Sequence, residues 1–430
     1  MTRPGLDDTT AGERPARLAP AADPSRLAVV ASPPLAPTLW RAEAAGALVL
    51  GGDHGSLGVV RSLGRRGIPV WFLSDDKFIA KYSRFAALSA AWPGPSDPAA
   101  VAYLLDLARA HQLEGWVLFP AGDREVRLIG QNHEALARAY RLWTPPWEVT
   151  RLAVDKHLMY RHAASLGIAH PTTYQPRTRH DVLTLDCRFP LILKPAEKES
   201  SNAFTQAKAW RADHRPDLLM KYDRAVELVG AHNIVLQELI PGGGDTQFSY
   251  TGVWQAGAPV ASMIARRSRQ YPTDFGTGTF VESVENADVE QAASTFLASL
   301  TYGGMVEIEF KYDARDGRTK IIDVNPRVWT WDSLGERAGV DFPLIQWRLA
   351  MGEAVDPQRG RAGAAWMYVP KDMLAAMHEM LAGKLTPARY LRSFRGRPTL
   401  AAYAADDPLP GLVDLPLTLA RAARQWWSGK

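Results

Sequence analysis

The sequence predicts a mixed α/β protein built in two stages: a doubly wound parallel unit, then a region in which strands dominate. Three stretches carry this prediction. Residues 46–73 read as strand, glycine-rich turn, helix and strand, which is one βαβ unit. Near Thr144-Pro145-Pro146 the composition breaks, and apolar strand runs follow. Residues 306–327 form two arms that alternate apolar and polar side chains on either side of Asp316-Gly317, the pattern of a hairpin with one polar face.

The elements follow in order. Gly46 to Leu50 is a short buried strand entering Gly51-Gly52-Asp53-His54-Gly55-Ser56-Leu57-Gly58, with a helix from Leu57 to about Arg66 and a second strand over Ile68–Leu73. The glycine spacing resembles a dinucleotide fingerprint without matching it, and a tight strand-to-helix turn is the favoured reading. A helix over 98–111 and a strand over 115–120 continue the pattern. The loop Ala121-Gly122-Asp123-Arg124 then lies beyond a strand's carboxyl end, where open α/β sheets bind ligands. Asp123 and Arg124 are therefore candidate substrate contacts or, alternatively, a helix cap with an exposed arginine. After the break, Asp155 to Ile168 reads as a helix with Leu158, Ala163 and Leu166 inward and Gly167 as its stop. Strands follow over 191–195 and 234–242, and a helix-bearing tail runs from about 333.

A length of 430 residues implies two or three compact units, and a 46% apolar share is ample for their cores. The net charge of +4 gives no argument for a nucleic-acid or membrane partner. The single cysteine, Cys187, excludes an intrachain disulfide and fits a reducing, cytoplasmic setting. With no base beside it, it reads as structural. No run approaches the ~18 apolar residues of a membrane span. Residues 1–45, rich in Ala, Pro, Arg and Asp, are expected to be a disordered leader.

Four pieces with chemical potential occur in sequence: Lys156 near a helix start, Lys194 at the end of an apolar strand, Glu238 to Ile240 running into Pro241-Gly242-Gly243-Gly244-Asp245, and the acidic hairpin. Folded about Asp316-Gly317, one symmetric register sets Glu309 opposite Asp323 and Glu307 opposite Asn325, with Arg327 following. Such a cluster is either a solvated sheet face or a site for a hard divalent cation, which takes one or two carboxylates plus substrate phosphates. Lysines neutralise phosphates as point charges. A strand leaving its sheet at Pro241-Gly242 exposes backbone groups to an adenine edge, and Asp245 can accept hydrogen bonds from ribose hydroxyls. Arg327 suits a transferring phosphoryl group or an acyl phosphate. No zinc-type histidine spacing occurs.

The ordered set Asp-Lys, Leu-Lys-Pro, Gln-Glu-Leu-Ile-Pro-Gly, Glu-Ile-Glu-Phe and Asp-Val-Asn-Pro-Arg resembles the ATP-grasp superfamily. It is most similar to the carboxylate–amine ligase and carbamoyl-phosphate-synthase-like branch, over roughly residues 46–350. The resemblance implies an α/β and α+β fold: a Rossmann-like preATP-grasp domain over 46–148, then an ATP-grasp domain over 149–352. The latter has two α+β subdomains with ATP between them, and 353–430 is left as a C-terminal helical extension. By motif match, Lys156 and Lys194 would contact phosphates, with Lys194 also near the adenine. Glu238, Leu239 and Ile240 would form the adenine hinge and Asp245 would hold the ribose. Glu309, Asp323 and Asn325 would bind Mg²⁺, with Mn²⁺ an acceptable substitute, and Arg327 would act on the transferring group. Residue pattern alone leaves Glu307 and Glu309 as alternatives; the resemblance picks Glu309. The chain departs from the family in two places. The stretch 196–204, where a glycine-rich phosphate loop is usual, has no glycine, although Ser200 and Ser201 could serve; and Asp323 stands where Glu is usual.

The basic run Arg266–Arg269 ahead of Phe275-Gly276-Thr277-Gly278-Thr279 reads either as an exposed loop or as a lid whose Arg267 and Arg269 grip an acidic substrate. The tail segment 417–427, with paired tryptophans, is expected to pack on its own domain or a partner rather than lie on a membrane. The leading expectation is an ATP- and Mg²⁺-dependent ligase joining a small-molecule or peptide carboxylate to an amine, with no nucleic-acid partner and compatible with a homodimer. The alternatives are a nucleotide-binding regulatory or scaffold protein without turnover and, using Gly51 to Gly58, a nicotinamide-dependent oxidoreductase.

Overall fold

The structure is a computed structural model that describes residues 45–75, 79–197 and 202–427, with side chains to residue 418. The expected leader, residues 198–201 of the expected phosphate loop with Ser200 and Ser201, and the side chains of the terminal tryptophans lie outside the described residues.

The first sheet is parallel throughout, in the order β3 (Leu88–Ala91), β2 (Val70–Ser74), β1 (Ala47–Leu50), β4 (Val117–Pro120), β5 (Arg141–Leu142). All four residues of β1 are buried, because successive side chains enter different cores. Ala47 and Val49 pack with Leu57, Val60 and Leu63 of helix His54–Gly64; Leu48 and Leu50 pack with Leu104 and Leu107 of helix Ala100–His111. Helices on both faces make the unit doubly wound, as the βαβ pattern predicts.

Two sheets follow. The smaller has the order β6 (Thr173–Tyr174), β9 (Ile234–Glu238), β7 (Leu191–Pro195), β8 (Trp210–Ala212), with antiparallel pairs. The larger runs β14 (Arg318–Asn325), β13 (Gly304–Asp313), β10 (Gln247–Gln255), β11 (Ala258–Tyr271), β12 (Thr277–Val284), β16 (Ala365–Met367), β17 (Thr399–Leu400), and β15 (Gln358–Arg359) pairs with β11. One face of the large sheet, with Tyr250, Val306, Ile308, Phe310 and Val324, packs on helices Lys156–Ser165 and Ala287–Ser299. Its other face carries the polar residues of the site.

Several expectations need correcting here. The run Arg266–Arg269 is neither loop nor lid: it is the interior of β11, a 14-residue strand paired on both sides. Its alternation is hidden in the sequence because charged residues fill inward positions. Arg267 and Arg269 are 7% and 5% exposed, each held by carboxylates. The C-terminal extension is not purely helical, since it adds β15, β16 and β17 to the large sheet. In helix Lys156–Ser165 the buried face is Lys156, Met159, Tyr160 and Ala163, whereas Leu158 and Leu166 are half-buried. The tail helix Leu409–Trp427 packs as expected where it is described: Val413 and Leu417 reach the main core, and the Tyr368 hydroxyl meets Thr418 at 3.2 Å.

Candidate active site

The hairpin is the site's acidic wall. β13 and β14 pair antiparallel with Glu307 opposite Asn325 and Glu309 opposite Asp323. A bulge after Glu309 sets Phe310 against Ile321 and leaves Ile322 over. The bulge is what allows Ile321 and Asp323 to point to opposite sides, so Ile321 is fully buried in the core while Asp323 joins the polar face. The turn is set at Gly317, whose φ of +68° favours glycine and whose N–H donates to the Asp313 carbonyl at 2.9 Å.

Opposed residues point the same way across an antiparallel pair, so Glu309 shares its face with Ser249 of β10 and Ala265 of β11. Arg267 extends this face and bridges the acids: its Nη2 lies 2.5 Å from Glu309 Oε1 and 3.6 Å from Glu307 Oε1. Gln247 Nε2 donates to Glu309 at 2.9 Å, and the Ser249 hydroxyl donates to Glu307 at 3.0 Å. Lys156 Nζ, brought in by its helix, donates to Asp323 at 2.8 Å. Arg327 Nη2 donates to Asn325 Oδ1 at 3.0 Å, and its Nε is anchored on Asp123.

The electrostatics follow from that packing. Burial and the neighbouring Glu309 push the Glu307 carboxyl up to about 7, with Arg267 pulling against them. At Glu309 burial also opposes ionisation, but the Arg267 guanidinium outweighs it and holds the carboxyl below its ordinary value. Lys194 is brought down to about 8, chiefly by burial, with Asp323 and Glu309 favouring its charge and Lys156 opposing it. Its Nζ donates to Gln237 Oε1 at 3.1 Å.

These groups line one cavity of about 1680 Å³ between the two antiparallel sheets. Lys156, Lys194, Glu238, Leu239, Ile240, Asp245, Arg267, Glu309, Asp323, Asn325 and Arg327 all border it. Three of the expected site residues, Arg269, Glu238 and Leu239, have partners within the protein. Arg269 also borders the cavity, but its guanidinium forms a two-point ion pair with Asp372 at 2.8 and 2.9 Å, donates to Ser393, and lies over the Phe280 and Tyr390 rings. It is a structural clasp rather than a free grip. The Glu238 carboxylate turns to Arg315, Lys320 and the Thr172 amide, and the Leu239 amide donates to the Pro190 carbonyl. Sequence reasoning missed Gln237, Gln247 and Ser249, neutral residues on the polar face of their strands. It raised Asp123 as a substrate contact or a helix cap, whereas here its carboxylate pairs with Arg327.

The glycine turn at 51–58 is filled by the protein itself. A Cβ at Gly51 would lie 2.4 Å from Glu125 Oε1, and one at Gly52 2.3 Å from Ser56 Oγ. This is a tight strand-to-helix turn, packed closely by Glu125 and Ser56.

Among the described residues no group of three or more His, Cys, Asp or Glu side chains is arranged to hold a metal ion alone. The donor set nevertheless fits Mg²⁺, which takes few protein carboxylates and completes its shell with phosphates and water. Glu309 and Asp323 are hard oxygen donors on one face of the hairpin.

A parallel doubly wound unit, then a small antiparallel sheet and a larger, mostly antiparallel one that enclose a cleft lined with lysines, carboxylates and arginines, is consistent with a fold of the ATP-grasp type. Comparison with known proteins agrees. Residues 276–358 match the family described as carbamoyl-phosphate synthase L chain, ATP binding domain. D-aspartate ligase of Enterococcus faecium is 23% identical over 296 residues, 65% of this chain and 70% of that relative. L-amino acid ligase from Bacillus licheniformis superposes with a TM-score of 0.54 at 15% identity, over 71% of this chain and 74% of that one. Biotin carboxylase from Campylobacter jejuni, as a complex with an ATP analogue, superposes at 0.57 and 14% identity, over 74% of each chain. The family match covers residues 276–358, and over most of the chain the likeness to the amino-acid ligase and the biotin carboxylase is one of fold.

Proposed function

We propose that the protein is an ATP- and Mg²⁺-dependent ligase that joins a carboxylate to an amine, with amino acids or short peptides as substrates. The observation that carries this reading is the convergence, in one cleft, of Lys156, Lys194, Arg267 and Arg327 with Glu309, Asp323 and Asn325. The relatives named for aspartate and amino-acid ligation support the substrate class. We divide the chain into a Rossmann-like unit (46–148), the ATP-grasp unit (149–352) and a C-terminal extension (353–430), and place it in the cytoplasm. No described helix is long and apolar enough to cross a membrane.

In this reading the nucleotide lies between the small and large sheets, with its adenine against Glu238–Ile240, its ribose near Asp245 and its phosphates toward Lys156 and Lys194. Glu309, Asp323 and Asn325 would hold Mg²⁺, which when bound neutralises the phosphate oxygens. Lys156, which donates to Asp323 at 2.8 Å, would be free to meet phosphate once Asp323 turned to the metal. A substrate carboxylate oxygen attacks the γ-phosphorus and the bond to the ADP oxygen breaks. The amine attacks the resulting acyl phosphate, phosphate leaves with the bonding pair, and the nitrogen loses a proton. Arg327, held by Asp123, stabilises charge on the transferring group through both steps. The chain's part is positioning and charge neutralisation, and no covalent protein nucleophile is needed.

Phosphate release from ATP and Mg²⁺, screened over amino acids singly and in pairs, tests the reading. Release that depends on both an acid and an amine is the expected result. ATP binding without release for any pair would instead support the scaffold alternative.

A further inference from the structure

The ligase reading leaves one wall of the cleft unused. Between Met380 and Ala404 the chain carries five cations, Lys384, Arg389, Arg392, Arg395 and Arg397, and no acid. Three of them, Lys384, Arg389 and Arg392, border the same cavity as Glu309 and Asp323. Among the described residues neither arginine forms an ion pair, and Lys384 faces Glu379 only at longer range, beyond ion-pair distance.

Their placement is built rather than incidental. Arg267 shares its sheet face with Val281, its partner on β12, and Thr279 lies two residues further along the same face. The Thr279 hydroxyl and Arg269 both donate to Asp372, so helix Val369–Leu381 is docked on the face that carries the carboxylates. Helix Pro387–Arg392 is then fixed to β11: Arg269 Nη1 donates to Ser393 at 3.0 Å, and the guanidinium lies 5.2 Å from the Tyr390 ring centre. Thr386 caps that helix through the Arg389 amide. A cationic wall is thus held two residues along β11 from Arg267, the arginine that holds Glu309. The acid of that wall, Glu379, is pushed above its ordinary value by burial, against the pull of Arg269.

Unpaired arginines and a lysine on a fixed wall of a substrate cleft are receptors for anionic oxygen. We propose that Lys384, Arg389 and Arg392 form a specificity site for an anionic group, carboxylate or phosphate, carried by a substrate in addition to the carboxylate that reacts. The proposal rests on the ligase reading for the identity of the cleft, and it makes the substrate a dianion rather than a simple monoacid. The Asp372–Arg269 clasp holds the wall in place.

The test uses the full chain saturated with ADP and Mg²⁺, titrated by NMR with glutarate, 3-phosphoglycerate and the monoacid butyrate. A dianion is expected to bind at least about tenfold more tightly than butyrate. Whichever dianion is preferred tells carboxylate from phosphate. In R389A/R392A the dianion's affinity should fall about tenfold while butyrate and ADP are unaffected. The control R395A/R397A removes the same charge from residues that do not border the cleft, and should change nothing. Equal binding of butyrate and both dianions, or equal losses in the two double variants, would overturn the proposal. Because the readout needs no turnover, its outcome is separate from that of the phosphate-release screen.

Discussion

Lys194 stands at the end of β7, where burial brings its ammonium from an ordinary 10.5 down to about 8. The sign of the linkage is clear. Between pH 8 and 10.5 the unfolded chain keeps a proton that the folded chain has lost, so stability rises with pH across that window, and the full penalty stands below it. Lys194→Met should therefore stabilise the ligand-free protein at pH 7 by an amount on the order of 2 kcal/mol, shrinking above pH 8, as thermal unfolding would show. The same variant should bind ATP about tenfold more weakly or worse, since a charge-assisted phosphate contact is lost. In the wild type, ATP affinity should fall as pH rises through about 8, and Lys194→Arg, which stays charged, should flatten that dependence. Lower stability together with higher ATP affinity in the wild type would mark Lys194 as a residue placed for its ligand.

At the scale of elements, the hairpin was the most legible part of the sequence. Its period-two alternation and the Asp316-Gly317 turn fixed the pairing of Glu309 with Asp323 and of Glu307 with Asn325. The bulge after Glu309 was not legible, because either Ile321 or Ile322 could supply the core face, and the pattern does not say which is the extra residue. β11 was misread because long-range partners decide it: Arg267 and Arg269 are inward residues of a strand only because Glu309 and Asp372 neutralise them from distant segments. That dependence has a measurable cost. Asp372 is fully buried, and Asp372→Ala would strand the Arg269 charge, so a loss of roughly 3–5 kcal/mol is expected in denaturant unfolding. Arg269→Met in the same chain should restore part of it, because the lone charge is then gone. Glu238 teaches a similar lesson: its position on β9 was readable, but its ion pairs with Arg315 and Lys320, which tie the hairpin to the small sheet, depend on side chains distant in sequence.

Over the whole molecule, each sheet supplies a different requirement. The parallel unit anchors the site from below: its core merges with Trp329, Trp331 and Phe342, which follow the hairpin, and its Asp123 aims Arg327. The small sheet supplies Lys194 and Gln237, the large one the carboxylates and Arg267, and the C-terminal segment closes the wall beside β11. The N-terminal glycine turn, which in sequence competed as a nucleotide site, is instead packed with Glu125 and Ser56. Its chemistry could not be read from spacing alone, because spacing does not say which side chains fill a turn. The central claim is that the hairpin's Asp323 and Asn325 form the metal side of a nucleotide cleft. Calorimetric titration of ATP with and without Mg²⁺, on the wild type and on Asp323→Ala with Asn325→Ala, tests it most directly. The account predicts that the wild type binds ATP far more tightly with Mg²⁺ and that the double variant loses this difference; Mg²⁺-dependent ATP binding unchanged in the double variant would contradict it.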